Sequence, residues 1–273
     1  MTVLFKTRIN TINKERNTMK LSIENAHSKD AYITFEEGPH IYTVHGKQGY
    51  TSVTTFIHKQ FSNFDADKII DTMIKKGKLL DCNNKYYGMT REEIKNIWYE
   101  NGKSASESGT KMHYDIECYY NDVLTKNESI EYQYFRNFVN DFPILKPYRT
   151  EWMIYDEDAK ISGSVDMVFE KPDGTFEIYD WKRVKEIKYE DEWSYKTSKT
   201  DCLKHIPDTN FWHYSLQLNT YRYILEKNYG IKITGMFLVC LHPENPMNNY
   251  ERIQVHDLRK EVEELFEQRC KNI

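Results

Sequence analysis

The segment that decides the fold runs from Ile161 to Arg183 and reads ISGSVDMVFEKPDGTFEIYDWKR. Two runs rich in β-branched and aromatic residues flank the tetrapeptide from Lys171 to Gly174. A proline at the second turn position and a glycine at the fourth are typical of a type I turn followed by a left-handed residue. The segment therefore predicts an antiparallel β-hairpin with a three-residue loop and a bulge.

The predicted turn sets the register of the hairpin, because a two-residue repeat assigns each side chain to one face. In that register Asp166 lies opposite Asp180, and Lys182 follows on the face of Asp180. Directly opposed like charges destabilise a sheet. A divalent cation that takes oxygen ligands, such as Mg²⁺ or Mn²⁺, would remove the repulsion. The alternative is a solvated strand end with a salt bridge.

The surrounding sequence predicts an α/β protein with one mixed sheet. A strand over residues 149–156 precedes the hairpin, and the apolar run over 236–241 predicts a strand that is buried on both faces. Residues 184–208 predict a long irregular connection. The other predicted elements are short strands within 31–50, a helix that opens near Ser52 or Thr54, helical residues 64–100 with a break at 83–88, helices over 104–121, 210–228 and 257–271, and a strand over 250–256.

Length, composition and charge favour a single globular domain over a strongly basic nucleic-acid binder or a membrane protein. The chain has 273 residues, of which 39% are hydrophobic, and this suits one large domain. The net charge of −4 does not fit a strongly basic nucleic-acid binder, so any such contact requires a local patch. No apolar run approaches the roughly 18–20 residues of a membrane span, and no membrane association is expected. Residues 1–20 predict a disordered basic tail, with a mitochondrial presequence as the alternative.

The five cysteines are widely spaced, and no two of them form a CxxC pair. An odd number of cysteines at such spacing predicts free thiols in a reducing, intracellular compartment. The spacing does not predict a zinc or iron–sulfur site.

Two predicted helices carry polar residues that could complete a metal site. His113 and Glu117 are four residues apart and therefore share a helix face. A lone helical histidine is more often a packing residue than a ligand, so both interpretations remain open. Gln217, beside the apolar stripe of the helix over 210–228, could bind a phosphate or a metal-bound water. The alternative is an ordinary amphipathic helix.

Four segments, taken together, resemble the motifs of the PD-(D/E)xK nuclease superfamily in its RecB-like branch. In chain order these segments are Gly109-Thr110-x-x-His113, Gly163-Ser164-Val165-Asp166, Asp180-Trp181-Lys182 and Gln217-Leu218-x-x-Tyr221. Their order on helix, strand, strand and helix agrees with that family. Within it the sequence is most similar to the mitochondrial genome maintenance exonucleases and their viral relatives, over most of residues 40–245.

The resemblance implies a restriction-endonuclease-like core over residues 101–273, with an N-terminal hairpin and helical arm over 21–100 in the same domain. It also implies a metal-dependent DNA exonuclease that prefers single-stranded ends and serves DNA repair, recombination or replication. A monomer is expected. The alternatives are a flap endonuclease on the same core, an inactive nucleic-acid-binding protein, and an unrelated protein in which the motifs are coincidental.

The resemblance also assigns roles to the motif residues. Lys182 would be the catalytic lysine beside Asp166 and Asp180. Mg²⁺ or Mn²⁺ would be bound by His113, Asp166, Asp180 and the backbone carbonyl of Trp181. No iron–sulfur cluster is expected, because the C-terminal cysteine group of the members that carry one is missing here.

Further residues would support the site or contact DNA. Gln217 and Tyr221 would steady the catalytic residues, and Glu117 and Glu151 would support the metal ligands. Tyrosine and tryptophan side chains such as Trp98 and Tyr99 could stack on unpaired bases. The predicted DNA contacts are Ser52, Thr54 and Thr55 at a helix start, and Lys196 and Lys199 in the long connection.

Overall fold

The protein is built around a six-stranded mixed sheet, in a computed structural model that describes residues 19–190 and 196–273. A separate two-stranded hairpin lies near the N-terminus. The hairpin consists of β1 (Ile33–Glu36) and β2 (Ile41–Val44). The sheet consists of β3 (Thr51–Ser52), β4 (Lys146–Asp156), β5 (Ile161–Glu170), β6 (Phe176–Lys182), β7 (Ile233–Cys240) and β8 (Glu251–Gln254).

Helices cover both faces of the sheet, as the predicted α/β class requires. The α-helices of the described residues are α1 (Lys20–Glu24), α2 (Val53–His58), α3 (Ala66–Lys75), α4 (Arg91–Tyr120), α5 (Ile130–Asp141), α6 (Asn210–Asn228) and α7 (Arg259–Lys271). One apolar core packs α2, α6 and α7 against one face. A second core, rich in aromatic rings, packs α4 and α5 against the opposite face. Among the described residues no helix is both long and apolar enough to cross a lipid bilayer.

The hairpin of β5 and β6 has the predicted turn. The Lys171 amide donates to the Thr175 carbonyl at 2.8 Å, and the Gly174 amide donates to the Lys171 carbonyl at 3.0 Å. Gly174 has a φ of +76°, a left-handed conformation that glycine adopts without steric cost. Val168 pairs with Ile178, which confirms the predicted register.

The ladder between β5 and β6 ends one pair before the two aspartates. Its last pair is Met167 with Tyr179, so the prediction that Asp166 and Asp180 form a directly opposed pair is wrong. The Trp181 amide donates instead to the Asp166 carboxylate, at 2.9 Å. A side chain thus replaces the backbone acceptor where the two strands separate.

The separation leaves a gap along one edge of β5. Its opposite edge pairs with β4 from Ile161 to Glu170. On the gapped edge β5 pairs in parallel with β3 through Ile161 and Ser162, and in antiparallel fashion with β6 from Met167 onward. Among the described residues no strand pairs with 163–166 on this edge. This stretch of backbone therefore borders an opening in the sheet, and Gly163, Ser164 and Asp166 line the cavity there.

Helix α4 is longer than predicted. The predicted separation between helical residues 64–100 and a helix over 104–121 is wrong, because α4 runs without interruption from Arg91 to Tyr120. It begins with a capping box in which the Thr90 hydroxyl accepts from the Glu93 amide and the Glu93 carboxylate accepts from the Thr90 amide. Gly102, Gly109 and the serines between them have low helix propensity, so the continuity of the helix is not expected from local sequence and reflects its tertiary context. The expected boundary between arm and core at residues 100 and 101 falls inside this helix.

The N-terminal hairpin packs on the outer part of β4. Ile33 and Val44 are buried with Tyr155, while Phe35 and Met153 pack partly against them. The break between β1 and β2 coincides with the predicted turn at Gly38 and Pro39. Residues 1–18 of the predicted basic tail lie outside the described residues, and α1 begins at Lys20.

Candidate functional site

The gap beside β5 opens into a cavity of about 260 Å³ that contains most of the predicted catalytic residues. Helix α4, strands β4, β5 and β6, helix α6 and the N-terminal hairpin all contribute side chains. The polar residues that line it are His40, Ser52, Thr54, His113, Glu151, Ser164, Asp166, Lys182, Gln217 and Tyr221. Its apolar wall consists of Phe35, Tyr42, Val53, Met153 and Gly163.

Three of these side chains converge on one point. His113 Nδ1 is 3.4 Å from Glu151 Oε1 and 3.5 Å from Asp166 Oδ2. One donor atom from each residue lies within 4.8 Å of the other two. The three residues come from α4, β4 and β5, so the packing of the helix on the sheet assembles the group.

Glu151 reaches this group through an unusual backbone conformation. Its φ is +43°, although it is neither glycine nor at a turn but within β4. A left-handed residue inside a strand costs on the order of 1–3 kcal/mol, and such strain is found preferentially at functional sites. The Ser164 hydroxyl donates to Glu151 Oε2 at 2.9 Å and fixes the carboxylate from the neighbouring strand.

Asp180 and Lys182 form the second part of the site. Lys182 Nζ is 2.6 Å from Asp180 Oδ2, and Gln217 Nε2 donates to Asp180 Oδ1 at 3.4 Å. Gln217 Nε2 also donates to the Tyr221 hydroxyl at 3.1 Å. Helix α6 thereby holds the carboxylate that β6 presents. The Lys182 ammonium lies over the ring of Tyr214, 4.5 Å from its centroid.

Burial and mutual charge shift the pKa values of the central groups. Burial and the nearby Asp180 raise the pKa of Asp166 to about 7, although His113 and Lys182 oppose this shift. Burial lowers the pKa of His113, but Asp166 and Glu151 outweigh burial and raise it to about 9. Burial likewise lowers the pKa of Lys182, while Asp180, Asp166 and Tyr214 outweigh burial and raise it above its ordinary value. The site therefore holds an excess of negative charge that favours cations.

The residues present fit a divalent metal ion. Oxygen ligands of such an ion lie at about 2.0–2.6 Å, so a spacing of 4.8 Å between donor atoms allows one ion to contact all three residues. Asp180 Oδ2 is buried, and its one polar partner among the described residues is the Lys182 ammonium, 2.6 Å away. Glu151, expected to support the ligands, stands beside His113 and Asp166 as a candidate ligand. Asp180 does not belong to that group of three.

Trp181 packs into the core on the face of β6 that points away from the site. Its indole lies on the face opposite Asp180 and Lys182, where its ring centroid is 5.6 Å from that of Phe135 and 5.3 Å from that of Phe138. This packing follows from the two-residue repeat of a strand. Large aromatic residues of α5 thus fix β6 from behind the site.

The other predicted residues take different places. Glu117 is buried on α4, one turn beyond His113, and does not line the cavity. The Ser52 hydroxyl accepts from the Thr55 amide as the N-cap of α2 and lines the cavity with exposed Thr54. Thr55, Lys196 and Lys199 are exposed but do not line the cavity, and neither do Trp98 and Tyr99.

Several residues of the site escape the sequence analysis. Tyr214, three residues before Gln217 on α6, contacts the Lys182 ammonium, but nothing in the sequence analysis marks it. Phe35, His40 and Tyr42 give no local signal for a site, because only the folding of the N-terminal hairpin onto β4 brings them to the cavity. Their distance in sequence from the motifs explains the omission.

Comparisons with known proteins give one family match and several remote structural matches. A model of the PD-(D/E)XK nuclease superfamily matches residues 55–273. No curated protein matches the chain. Solved structures that align with it include SSO0001, with 10% identity, coverage of 82% of this chain and 76% of the other, and a TM-score of 0.31. A protein of Eubacterium rectale named as a candidate exonuclease shares 12% identity, over 82% of this chain and 78% of its own, with a TM-score of 0.36.

The family match spans the helix, strands and helix that supply His113, Asp166, Lys182 and Gln217 to the cavity. It covers well over half of the sequence and agrees with the mixed sheet flanked by helices. The chain therefore belongs to the PD-(D/E)XK nuclease superfamily.

Proposed function

We propose that the protein is a metal-dependent DNA exonuclease that hydrolyses phosphodiester bonds at single-stranded ends. The observation that carries this proposal is the convergence of His113, Glu151 and Asp166 in one cavity with Lys182, whose ammonium forms an ion pair with the buried Asp180. Carboxylates that converge in this way attract a divalent ion, and the adjacent ammonium complements the charge of a phosphate. DNA repair, recombination and replication are the processes in which such an activity would be used.

In this proposal Mg²⁺ or Mn²⁺ would be bound by His113, Asp166, Asp180 and the Trp181 carbonyl. Glu151 would be a further ligand, because its carboxylate lies beside His113 and Asp166. When bound, the ion supplies Lewis-acid polarisation of the scissile phosphate and lowers the pKa of a water. Glu117, buried one turn beyond His113, supports the helix face that presents the imidazole.

The remaining polar residues orient groups and offset charge. The Lys182 ammonium, held between Asp180 and the Tyr214 ring, is placed to offset the negative charge that builds up on the phosphate. Gln217 holds the Asp180 carboxylate and is itself aligned by the Tyr221 hydroxyl. These contacts reduce the motion of the site before substrate binds, which is the main protein contribution to phosphoryl chemistry.

The DNA strand enters the cavity past the start of α2 in this proposal. Thr54 lines the cavity and is exposed, so its hydroxyl can bind a phosphate oxygen, whereas Ser52 and Thr55 bond to each other. Lys196 and Lys199 lie on the connection that bonds to Gln60, two residues beyond the end of α2. These lysines would attract the strand outside the cavity. We expect the protein to act as a monomer in an intracellular compartment where its five thiols remain reduced.

The experiment that tests the function is cleavage of a single-stranded oligonucleotide that carries a fluorophore at either end, with Mg²⁺, Mn²⁺ or EDTA. We expect metal-dependent stepwise products from the wild type and a loss of at least about 100-fold in Lys182→Ala, the scale of one transition-state charge contact. Lys171→Ala, at the other end of the same hairpin, is the matched control and should cleave normally. Cleavage that survives Lys182→Ala would refute the assigned site, and single internal cuts in a flap substrate would indicate an endonuclease.

Metal binding is measured separately by titration calorimetry with Mn²⁺. Asp166→Asn should weaken binding at least about tenfold, because it replaces a carboxylate ligand by a neutral amide. If the wild type binds DNA but neither binds metal nor cleaves any substrate, the protein is a binding protein on a nuclease fold.

A further inference from the structure

The cavity contains a second chemical surface that phosphate chemistry does not use. Phe35 and His40 of the N-terminal hairpin line the same cavity as the carboxylates and form an aromatic wall with Tyr42. Tyr42 is buried, Phe35 is half-buried and His40 is exposed. A site that handled only a phosphate and a metal ion would not need an accessible aromatic wall.

The hairpin register explains why these rings point the same way. Phe35 pairs with Tyr42 across the two strands, and Ile33 pairs with Val44. All four side chains therefore lie on one face of the hairpin. Ile33 and Val44 pack against Tyr155, so this end of the face is anchored in a small core.

The other end of the same face projects over the cavity. The Phe35 ring is 4.4 Å from the Tyr42 ring between centroids, and 4.9 Å from the His40 ring at an interplanar angle of 89°. His40 has a φ of +56°, which bends the chain back at the end of the turn. The three rings contact one another and all three line the cavity that holds the catalytic residues.

We propose that Phe35 and His40 form a stacking platform for an unpaired nucleobase next to the scissile phosphate, and that this platform selects single-stranded DNA. The proposal rests on the proposed nuclease function and extends it to the substrate. A nucleotide combines a charged phosphate with a flat apolar base, and the cavity offers one wall for each. Its volume of about 260 Å³ is far larger than the roughly 10–15 Å³ that one water molecule needs, which leaves room beyond the phosphate. Bases in a duplex are stacked on each other and cannot present a face to the wall.

The test compares intact single-stranded DNA with the same strand carrying tetrahydrofuran abasic sites at its terminal nucleotides. The protein variants are wild type, Phe35→Ala and Phe35→Tyr, with Tyr32→Ala as the control. Tyr32 is an exposed aromatic residue immediately before β1 that does not line the cavity. The rate measured is kcat/KM with Mg²⁺ on both substrates.

We expect Phe35→Ala to lower kcat/KM on intact DNA by about 5- to 150-fold, the factor that corresponds to stacking of one base. On abasic DNA the same variant should match the wild type within about twofold, because no base is present to stack. Phe35→Tyr, which keeps the ring, should restore the rate, and Tyr32→Ala should not change it. His40→Ala should lower the rate on intact DNA in the same direction as Phe35→Ala. An equal loss on both substrates, or no loss on either, would overturn the platform.

A binding measurement distinguishes failure of the platform from failure of the proposed function. DNA with 2-aminopurine at the terminal nucleotide is mixed with protein in EDTA, where no cleavage is expected, and fluorescence is followed. Quenching that is present in the wild type and lost in Phe35→Ala supports the platform even if no variant cleaves DNA. Quenching that is unchanged in Phe35→Ala, or no DNA binding at all, overturns it.

Discussion

At the scale of single residues, Lys182 shows how a strand end becomes a reactive group. Its ammonium is buried between the Asp180 carboxylate and the Tyr214 ring. A buried ammonium without partners would lose its proton, because burial disfavours the charged form. Here the carboxylates of Asp180 and Asp166 outweigh burial and raise the pKa of Lys182. The lysine side chain therefore stays protonated and presents a positive charge to the substrate.

Tyr214 is predicted to position this ammonium. Tyr214→Leu removes the ring that lies 4.5 Å from Lys182 Nζ, and a desolvated cation–π contact is worth about 0.5–2 kcal/mol. We expect kcat to fall by about 2- to 30-fold, the equivalent factor, with a smaller change in KM because the ring faces the lysine. Steady-state kinetics on single-stranded DNA measures both constants. Tyr214→Phe keeps the ring face and should retain most of kcat; a loss as large as that of Tyr214→Leu would implicate the hydroxyl instead.

At the scale of elements, the site depends on the close approach of α2, β5 and α6. A Cβ atom placed on Gly163 in β5 would lie 2.8 Å from Tyr221 Cε1 and 3.0 Å from Val53 Cγ2. Both neighbours are buried, so neither can move away easily. The glycine of this motif is thus required for packing, since it allows the Tyr221 ring, whose hydroxyl accepts from Gln217 on the same helix, to pack directly over β5.

Gly163→Ala is expected to destabilise the fold and impair the site together. Overpacking of a buried position costs about 1–3 kcal/mol in the free energy of unfolding, and displacement of Tyr221 should lower kcat. Urea denaturation and cleavage assays provide the two measurements. Gly109→Ala is the control, because no atom lies within 4 Å of its Cβ position in α4, and the change should stabilise the helix by up to about 1 kcal/mol. Equal stability of the two variants would contradict the packing argument.

The same elements show what the sequence can and cannot predict. The turn at Pro172 and Gly174 depends on four consecutive residues, so its type and register follow from local chemistry. The point at which β5 and β6 separate depends on distant packing, and the Asp166 contact to the Trp181 amide is therefore unforeseen. The conformation of Glu151 is likewise imposed by its surroundings, because nothing in its neighbouring residues favours a positive φ. Motif order thus predicts which residues meet, while tertiary contacts decide how they meet.

At the scale of the whole molecule, the turn between β4 and β5 joins parts of the chain that are far apart in sequence. Asp156, at the end of β4, accepts from Lys227 Nζ at 2.8 Å and from Asn228 Nδ2 at 2.9 Å at the end of α6. Arg269 of α7 donates to the Ala159 carbonyl at 3.1 Å. This turn lies at the end of the sheet away from the β5–β6 loop. Its contacts connect α6 and α7, two of the three helices that cover one face, so they should affect stability more than catalysis.

The acid sensitivity of the fold should depend on Asp156. Burial raises the pKa of this carboxyl, but hydrogen bonds from Lys227, the Ala159 amide and Asn228 outweigh burial and hold the pKa below its ordinary value. A lowered pKa means that the carboxylate stabilises the fold above its unfolded pKa of about 3.9, and that this contribution is lost as the pH falls through the folded pKa. Asp156→Asn should therefore reduce the free energy of unfolding at pH 7 by about 1.5–3 kcal/mol.

The difference between wild type and Asp156→Asn should shrink as the pH falls from 5 toward 3, because the wild type then becomes protonated as well. Urea denaturation followed by circular dichroism at a series of pH values measures this change. Asp158→Asn is the matched control: Asp158 also contacts Lys227, at 2.8 Å, but its side chain is 71% exposed. An exposed ion pair contributes about 0–1 kcal/mol, so this variant should remain close to the wild type at every pH. A difference for Asp156→Asn that stays constant from pH 7 to pH 3 would show that Asp156 acts through packing, because its ionisation would then contribute nothing to the stability of the fold.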